Sequence, residues 1–544
     1  MTARQFDARF LERLRDTFAT QLPGFLPSQR WFGAKARRIQ AVQLADCIPI
    51  RMEHGTALIA LAAVQYEEGP AETYVLPLLL APSQSRSEEA LRTRVVKVPD
   101  PNSTGEIVLT DAFEDSEFLA ELLRATQAGV SYLGSQGELQ AKPTNALGKI
   151  LSAAGVLPAG RRSKAEQSNT SVIYGESLIL KFFRRLAEGI NPDLEIGLFL
   201  TEQAHFANVP ALAGSLEYHT REGKTSTLGM LQGFVANRGD AWRHTLASLS
   251  DFLADADARL RSHGAQSAEL SAFRRDGVLP AELAARLNEQ ADWAGLLGRR
   301  TAELHLALAS GDAESDFSPE PFTAAFQESL KRSIHDMVVR NFSLLRAKAD
   351  SIPEAVRAMS AKALELEDDV LLACHAVLER EIHATRTRIH GDYHLGQVLF
   401  TGSDFFIIDF EGEPARPLAA RRAKRSPLQD VAGMLRSFQY AARSALVVVN
   451  GKAGEDENSR AFAEQLATRW QVLASTRFLE EYREAAKGAS FLPADAGEFE
   501  ALLRLHLLEK VVYELGYELN NRPDWLMIPL HGILELARKK EQKL

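Results

Sequence analysis

The chain has 544 residues, more than a single hydrophobic core serves, so about two to four lobes are expected. Hydrophobic residues make up 45% and charged residues 25%, the balance of an ordinary soluble globular protein. Acids outnumber bases 72 to 63, and a net charge of −9 argues against general nucleic-acid binding, which needs a basic footprint.

Cys47 and Cys374 are too few for a disulfide framework, and a reducing compartment fits. The first residues run into a charged amphipathic helix with no signal-peptide pattern. The apolar runs at Leu78-Leu79-Leu80 and Ala445 to Val449 are too short to span a bilayer. A cytoplasmic protein with no membrane partner is expected.

Phe6, Phe10, Leu11, Leu14 and Phe18 recur at helical spacing, which predicts a first helix ended by Pro23-Gly24. For the cluster Gln29-Arg30-Trp31-Phe32-Gly33-Ala34-Lys35-Ala36-Arg37, a capped turn over a buried Trp31 is favoured over a ligand contact. From Ile39 to about Leu80 the pattern is β-like, and Ala81 to Ser87 is a polar loop. A small separate β-rich unit is expected there, ending between Pro101 and Asp111. Asp115 to Thr126 is helical, and a Gly- and Ser-rich stretch runs on to about Gly160.

Glu166 to Ser171 then leads into Val172-Ile173-Tyr174, a Gly175-Glu176 turn and Leu178 to Phe183, which predicts a hairpin. The polar entry, with Ser168, Asn169 and Thr170, can offer amides and hydroxyls to phosphate oxygens. Lys181 interrupts an apolar strand as a phosphate-binding lysine of kinase type does, although lysines at strand ends usually just reach solvent. Asn191-Pro192-Asp193 starts a helix, with Asn as cap. On that helix Glu195 could pair with Lys181 or simply complement the helix N-terminus. A strand from Thr225 to Ala236 contains Gln232, Phe234 and Val235. The loop Asn237-Arg238-Gly239-Asp240 follows, and in a two-lobed kinase this region would be the hinge that meets adenine.

Beyond Asp240 long helices are expected from Ala241 to Arg261, Leu283 to Leu308, Pro321 to Leu345 and Pro353 to His383. His305 reads as a packed core residue. The richest stretch is His390-Gly391-Asp392-Tyr393-His394-Leu395-Gly396-Gln397, followed by two apolar runs that flank the turn formers Thr401 to Asp404. Folding this hairpin about Gly402-Ser403 brings Gln397 to within about one position of Ile408 and Asp409. Two acids and an amide at one hairpin end suit a divalent metal, phosphate and a substrate hydroxyl. Asp392 and Gln397 are five apart, as Asp and Asn are in the kinase loop pattern, with Gln replacing Asn.

The basic run Arg416 to Arg425 reads as a loop beside a phosphate rather than a nucleic-acid patch. Ser426-Pro427-Leu428-Gln429 is a capping box that opens a helix carrying Asp430. Near the end, Tyr513 and Tyr517 are four apart, as are Glu514 and Glu518. Aromatic faces beside carboxylates suit a sugar; an interhelix packing stripe with solvated acids is about as good an account.

The order Lys181, Glu195, His390-Gly391-Asp392, Gln397 and Asp409 resembles the aminoglycoside-phosphotransferase-like branch of the protein-kinase fold. More narrowly the chain resembles the bacterial maltokinases, which make maltose 1-phosphate from ATP and maltose. The matching stretches are Arg30 to Lys35, His390 to Gln397, Ile408 to Pro414, Arg421 to Tyr440 and Tyr513 to Trp525, spread over nearly the whole chain. The resemblance implies an α+β, bilobal protein-kinase-like fold: an N-terminal cap subdomain (1–110), an intermediate subdomain completing the N-lobe (111–236) and a large helical C-lobe (237–544).

It also implies Asp392 as the base toward the anomeric hydroxyl, with Gln397 and Asp409 on Mg2+. Lys181, supported by Glu195, would meet the phosphates of ATP with Ser168, Asn169 and Thr170, while Gln232, Phe234 and Val235 seat the adenine. His394, Glu411, Lys424, Tyr513, Tyr517 and Glu518 would line the maltose site. Trehalose synthase, which makes maltose, is the implied partner, fused or associated, and the product would feed α-glucan synthesis. The chain is longer than a compact maltokinase, with the surplus in the helical segments between Ala241 and Glu381. Two other readings stand beside this one: a kinase of the same fold for glucosamine or an aminoglycoside, and a silent pseudokinase that binds trehalose synthase. Against the latter, Lys181, Asp392, Gln397 and Asp409 are all present.

Overall fold

The computed structural model describes residues 8–80, 94–100, 105–163, 169–262, 279–414, 416–453 and 457–538. The loop expected from Ala81 to Ser87 and the candidate Ser168 lie outside them. The chain divides into two compact units, residues 1–236 and 237–544.

The first unit opens with the helix Ala8–Phe25. It runs through Pro23 rather than stopping there, because Leu22 and Leu26, either side of the proline, are both buried in one core. Strands β1 (Ile39–Arg51), β2 (Thr56–Tyr66), β3 (Glu72–Leu80), β4 (Arg94–Pro99) and β5 (Glu106–Asp111) form an antiparallel sheet in the order β1-β2-β3-β5-β4. Along β2, Leu58, Ala60 and Ala62 join the core of the first helix, whereas Ala57, Ile59 and Leu61 enter a second core. Two buried faces explain the unbroken apolar run in this strand.

A second sheet contains β6 (Ser131–Leu133), β7 (Gly137–Pro143), β8 (Gly160–Arg162), β9 (Asn169–Tyr174), β10 (Leu178–Phe183), β12 (Leu212–Thr220) and β13 (Thr225–Gly233). Its order is β6-β7-β12-β13-β10-β9-β8, while β11 (Arg185–Leu186) pairs with β3 of the first sheet. The Gly-rich stretch after Thr126 is therefore ordered, holding β6, β7 and the helix Asn145–Ala154. Its glycines permit close approach: a Cβ on Gly134 would stand 2.6 Å from the Asp46 carboxylate.

The two sheets share the second core, in which Ile48, Ile59 and Val75 meet Leu139, Val172, Leu180 and Phe182. The β-rich stretch expected as a small unit packs on the second sheet through this shared core. Buried Asp46 ties the sheets together: Oδ1 accepts from Ser135 N (2.8 Å), Ser135 Oγ (2.7 Å) and Gln136 N (3.1 Å), and Oδ2 from Tyr218 OH (2.8 Å). A buried carboxylate persists only when so satisfied.

The second unit is mostly helical, with long helices Ala241–Ser262, Ala281–Leu308, Ala324–Ala347, Leu428–Ala453, Glu457–Ala485 and Ala496–Asn521. The single helix expected from Pro353 to His383 is two, Glu354–Leu364 and Glu367–Leu378. Glu367, Asp368 and Asp369 fill the first turn of the second, where carboxylates favour a new helix N-terminus. Two small ladders complete the unit: β14 (Glu320–Pro321) with β15 (Thr385–Arg386), and β16 (Val398–Phe400) with β17 (Phe405–Ile407). The helix Leu428–Ala453 buries Val431, Met434, Phe438, Ala441 and Ala445. Gly433 lets it lie against the loop before β16, since a Cβ there would be 2.6 Å from the Tyr393 carbonyl oxygen. Among the described residues no helix is long and apolar enough to cross a membrane.

Candidate active site

The site in the second unit is built on the loop from His390 to Gln397. Its start is held by Asp430, which accepts from His390 N through Oδ2 (2.7 Å) and from Gly391 N through Oδ1 (2.9 Å). Asp430 Oδ2 also lies 3.2 Å from His305 Nε2, and His305 Nδ1 lies 2.9 Å from Tyr482 OH. Burial opposes ionisation of Asp430, but the hydrogen bond and charge of His305, with His390 and the Gly391 amide, outweigh it and hold the carboxyl below its usual range. His305 is 0% exposed, the core residue expected, and it braces this clamp as well. Asp430 was not singled out as a site residue. The available signal was an acid in the first turn of a helix whose next turns are apolar.

His390 Nε2 donates to Ile408 O at 2.9 Å and so joins the loop to the hairpin, while its Nδ1 accepts from Asp392 N at 3.4 Å. Gly391 has φ +82°, a left-handed conformation that suits glycine. Tyr393 and Leu395 are buried on either side of the half-buried Asp392 and His394. In the hairpin Val398 faces Ile407, Leu399 faces Phe406 and Phe400 faces Phe405, and Ile408 N donates to Gln397 O at 3.0 Å. Asp409 takes φ +69°, which a short polar side chain tolerates. Gln397 Nε2 donates to its Oδ2 at 2.8 Å, so the amide and carboxylate meet as folding about Gly402 predicts.

Around Asp392, His394 Nε2 is 4.0 Å from Oδ2 and Lys510 Nζ is 3.8 Å from Oδ1. Burial lowers the His394 pKa against the opposing pull of Asp392, favouring the neutral imidazole. Lys510 escaped the sequence reading. It comes from the helix Ala496–Asn521, one turn before Tyr513, and its ammonium is 5.2 Å from that ring's centroid. The Tyr513 hydroxyl is pushed up by burial and then by Glu413 and Asp392, so Tyr513 belongs to the same cluster.

Glu514 and Glu518, the pair four apart on the Tyr513 helix, face inward. Arg436 Nε and Nη2 donate to Glu514 Oε2 at 2.9 and 2.6 Å. Glu518 is 1% exposed and accepts from Tyr440 OH (3.0 Å) and from Arg522 Nε and Nη2 (3.0 and 2.7 Å). This is an interhelix stripe of buried, paired acids, neither solvated nor turned outward. Tyr517 is exposed, with Arg522 5.3 Å from its ring centroid. Lys424 Nζ donates to Glu320 Oε1 at 2.8 Å, and Arg421 Nη1 to the Glu411 carbonyl at 3.1 Å. Arg416 and Arg422 of the basic run lie 3.8 and 3.5 Å from Glu509 and Asp316.

In the first unit Lys181 stands in β10 opposite Ser171 of β9 and Met230 of β13. Its Nζ donates to Asp193 Oδ2 at 2.9 Å. Asp193 is two positions before Glu195, its amide capped by Asn191 Oδ1 at 2.9 Å. The sequence reading passed over Asp193. Asn169 begins β9, whereas Thr170 is fully buried and its hydroxyl accepts from Arg184 Nε at 2.8 Å. Gln232 pairs with Ile179 near the end of β13, and Phe234 N donates to Ser177 O at 2.8 Å, with Val235 next along the chain.

Residues 25–115 match the family described as Maltokinase N-terminal cap domain. The chain is 24% identical over 377 residues to a glucosamine kinase of Streptacidiphilus jiangxiensis, covering 69% of this chain and 73% of that protein. It is 25% identical over 370 residues to a glucosamine kinase of Mycolicibacterium smegmatis, covering 67% and 76%. Among solved structures, a glucosamine kinase (crystal form B) is similar at TM-score 0.59 and 18% identity, covering 96% of this chain and 99% of that one. The same kind of enzyme in complex with glucosamine, ADP and inorganic phosphate gives 0.57 and 18%, covering 94% and 98%. The fold is that of the kinase-like proteins, with a cap before it, and the likeness to sugar kinases supports a phosphotransferase of this fold. The cap segment, 25–115, is maltokinase-like.

Proposed function

We propose that the protein transfers the γ-phosphoryl group of ATP to the anomeric hydroxyl of maltose, giving maltose 1-phosphate and ADP. The observation that carries this reading is the Asp392 loop, clamped by Asp430 and set beside the Gln397–Asp409 pair. Asp392 accepts the proton of the sugar hydroxyl as that oxygen bonds to the γ-phosphorus and the bond to the ADP oxygen breaks. Gln397 and Asp409 offer an amide and a carboxylate side by side, hard oxygen donors that fit Mg2+. When bound, that ion neutralises phosphate charge. Lys181, oriented by Asp193 with Glu195 nearby on the same helix, meets the nucleotide phosphates, and Gln232 to Val235 seat the adenine. Tyr513 and Tyr517 offer ring faces to the sugar, with His394, Glu411 and Lys424 as further lining residues. Glu518, spent on Arg522 and Tyr440, serves the helix packing instead. Trehalose synthase would supply maltose, and the product would feed α-glucan synthesis.

A second reading, phosphorylation of glucosamine, is favoured by the names of the curated relatives. Lys510 speaks against it. Its ammonium, 3.8 Å from the Asp392 carboxylate, disfavours the charged amine of an amino sugar on its side of the base, with Asp392 and Glu413 offsetting part of that repulsion. ATP consumption with maltose, glucose, glucosamine and trehalose, with the phosphate located by NMR, separates the two; turnover of glucosamine alone would overturn the maltose reading. Asp392→Asn is expected to leave maltose binding nearly intact while turnover falls about a hundredfold or more. Near-normal turnover would remove Asp392 from the role of base.

A further inference from the structure

The Trp31 turn has no part in the chemistry above, yet it meets Arg184, the residue that follows the strand carrying Lys181. Three residues beyond Lys181, Arg184 is 1% exposed. Its Nη2 donates to Asp111 Oδ2 at 2.6 Å and its Nε to Thr170 Oγ1 at 2.8 Å. The guanidinium carbon lies 5.2 Å from the Trp31 ring centroid and 5.0 Å from that of Phe113. The Arg184 carbonyl accepts from Val75 N of β3 at 2.8 Å, and the next two residues pair with Tyr74 and Thr73. Trp31 and Phe32 pack on Tyr74, with centroids 6.0 and 4.9 Å away, and Phe182 packs on Phe113 at 4.9 Å. Asp111 Oδ1 caps Phe113 N at 3.1 Å, which fixes the carboxylate that receives Arg184. One buried side chain therefore joins the end of β10, the start of β9, the end of β5 and the aromatic turn.

We propose that Arg184 is a positioning residue through which the Trp31 turn and Asp111 set the β9–β10 hairpin, and with it Lys181, for nucleotide binding. This rests on the reading of Lys181 as a ligand of the nucleotide phosphates. The ladder sets the register of β10 against β9 and β13, but holding this hairpin in place against the first sheet takes a further restraint. A charge-assisted anchor at the strand's exit supplies that restraint. Because Lys181 must meet a phosphate at hydrogen-bond distance, a displacement of about 1 Å is felt in binding.

The test is ADP affinity by calorimetry on the full chain, with maltose affinity and melting temperature measured beside it. Arg184→Met is expected to weaken ADP binding roughly tenfold or more, with maltose affinity within about twofold. Arg184→Lys recovers part of the loss. Asp111→Asn, which keeps the Phe113 cap and lies away from Lys181, gives the same selective effect if Arg184→Met does not fold. A lowered melting temperature with unchanged ADP affinity in Arg184→Met or Asp111→Asn makes the cluster structural and overturns the proposal alone. A wild-type protein that binds no ADP overturns the nucleotide reading, and the proposal falls with it.

Discussion

Asp430→Asn puts the loop clamp under direct test. The carboxylate accepts from two backbone amides, at 2.7 and 2.9 Å, and faces His305 at 3.2 Å. Asparagine has the same shape, but one of its two terminal atoms is a donor. Either His390 or Gly391 is then left with its N–H facing another N–H, in a fully buried place. Breaking one member of a buried charged network costs about 3–5 kcal/mol. At roughly 2 °C per kcal/mol for a unit of this size, the melting temperature falls by roughly 6–10 °C. Because the folded-state pKa of Asp430 is lowered, its contribution is complete above the unfolded value of about 4 and is lost as pH falls through the folded value. Urea unfolding should therefore show a constant gap between wild type and variant from about pH 5 to 8, narrowing below about pH 4. Turnover should drop further than maltose affinity, since the displaced residue is the neighbour of Asp392. A loss under about 1 kcal/mol at neutral pH, or a gap that does not narrow in acid, would refute the reasoning.

Lys510→Met removes the ammonium and keeps the side-chain length, so kcat/KM for glucosamine relative to maltose should rise roughly tenfold; an unchanged ratio would remove Lys510 from specificity. Glu518→Ala strips partners from Tyr440 and Arg522 and should cost about 1–3 kcal/mol in unfolding experiments while leaving maltose KM within about twofold. Tyr517→Ala should do the reverse, raising maltose KM roughly two- to tenfold through lost ring contact with little change in melting temperature. If the two variants exchange these phenotypes, the inward and outward faces of the helix are wrongly assigned.

What the sequence alone determined about this protein is local. The hairpin around Gly402 has its turn formers and both strands within a dozen residues, so its register and the Gln397–Asp409 meeting were readable. The Asn191 cap is decided by neighbours in the same turn, and the burial of His305 by its apolar helix. What only the tertiary structure decided are pairings between distant segments. Lys181 Nζ meets Asp193 Oδ2 at 2.9 Å, an acid the sequence did not put forward beside Glu195; a helix start offers several acids, and only its packing on the sheet brings them to the strand. Asp430 reaches a loop some forty residues before it, and Lys510 reaches Asp392 from the C-terminal helix bundle. The spacing of Glu514 and Glu518 put them on one stripe, but a stripe can face water or a neighbouring helix. The arrival of Arg436 and Tyr440 turned it inward. Short-range hydrogen bonding leaves a specific mark in the chain, whereas a buried charge is specified by partners whose positions depend on how every intervening element packs.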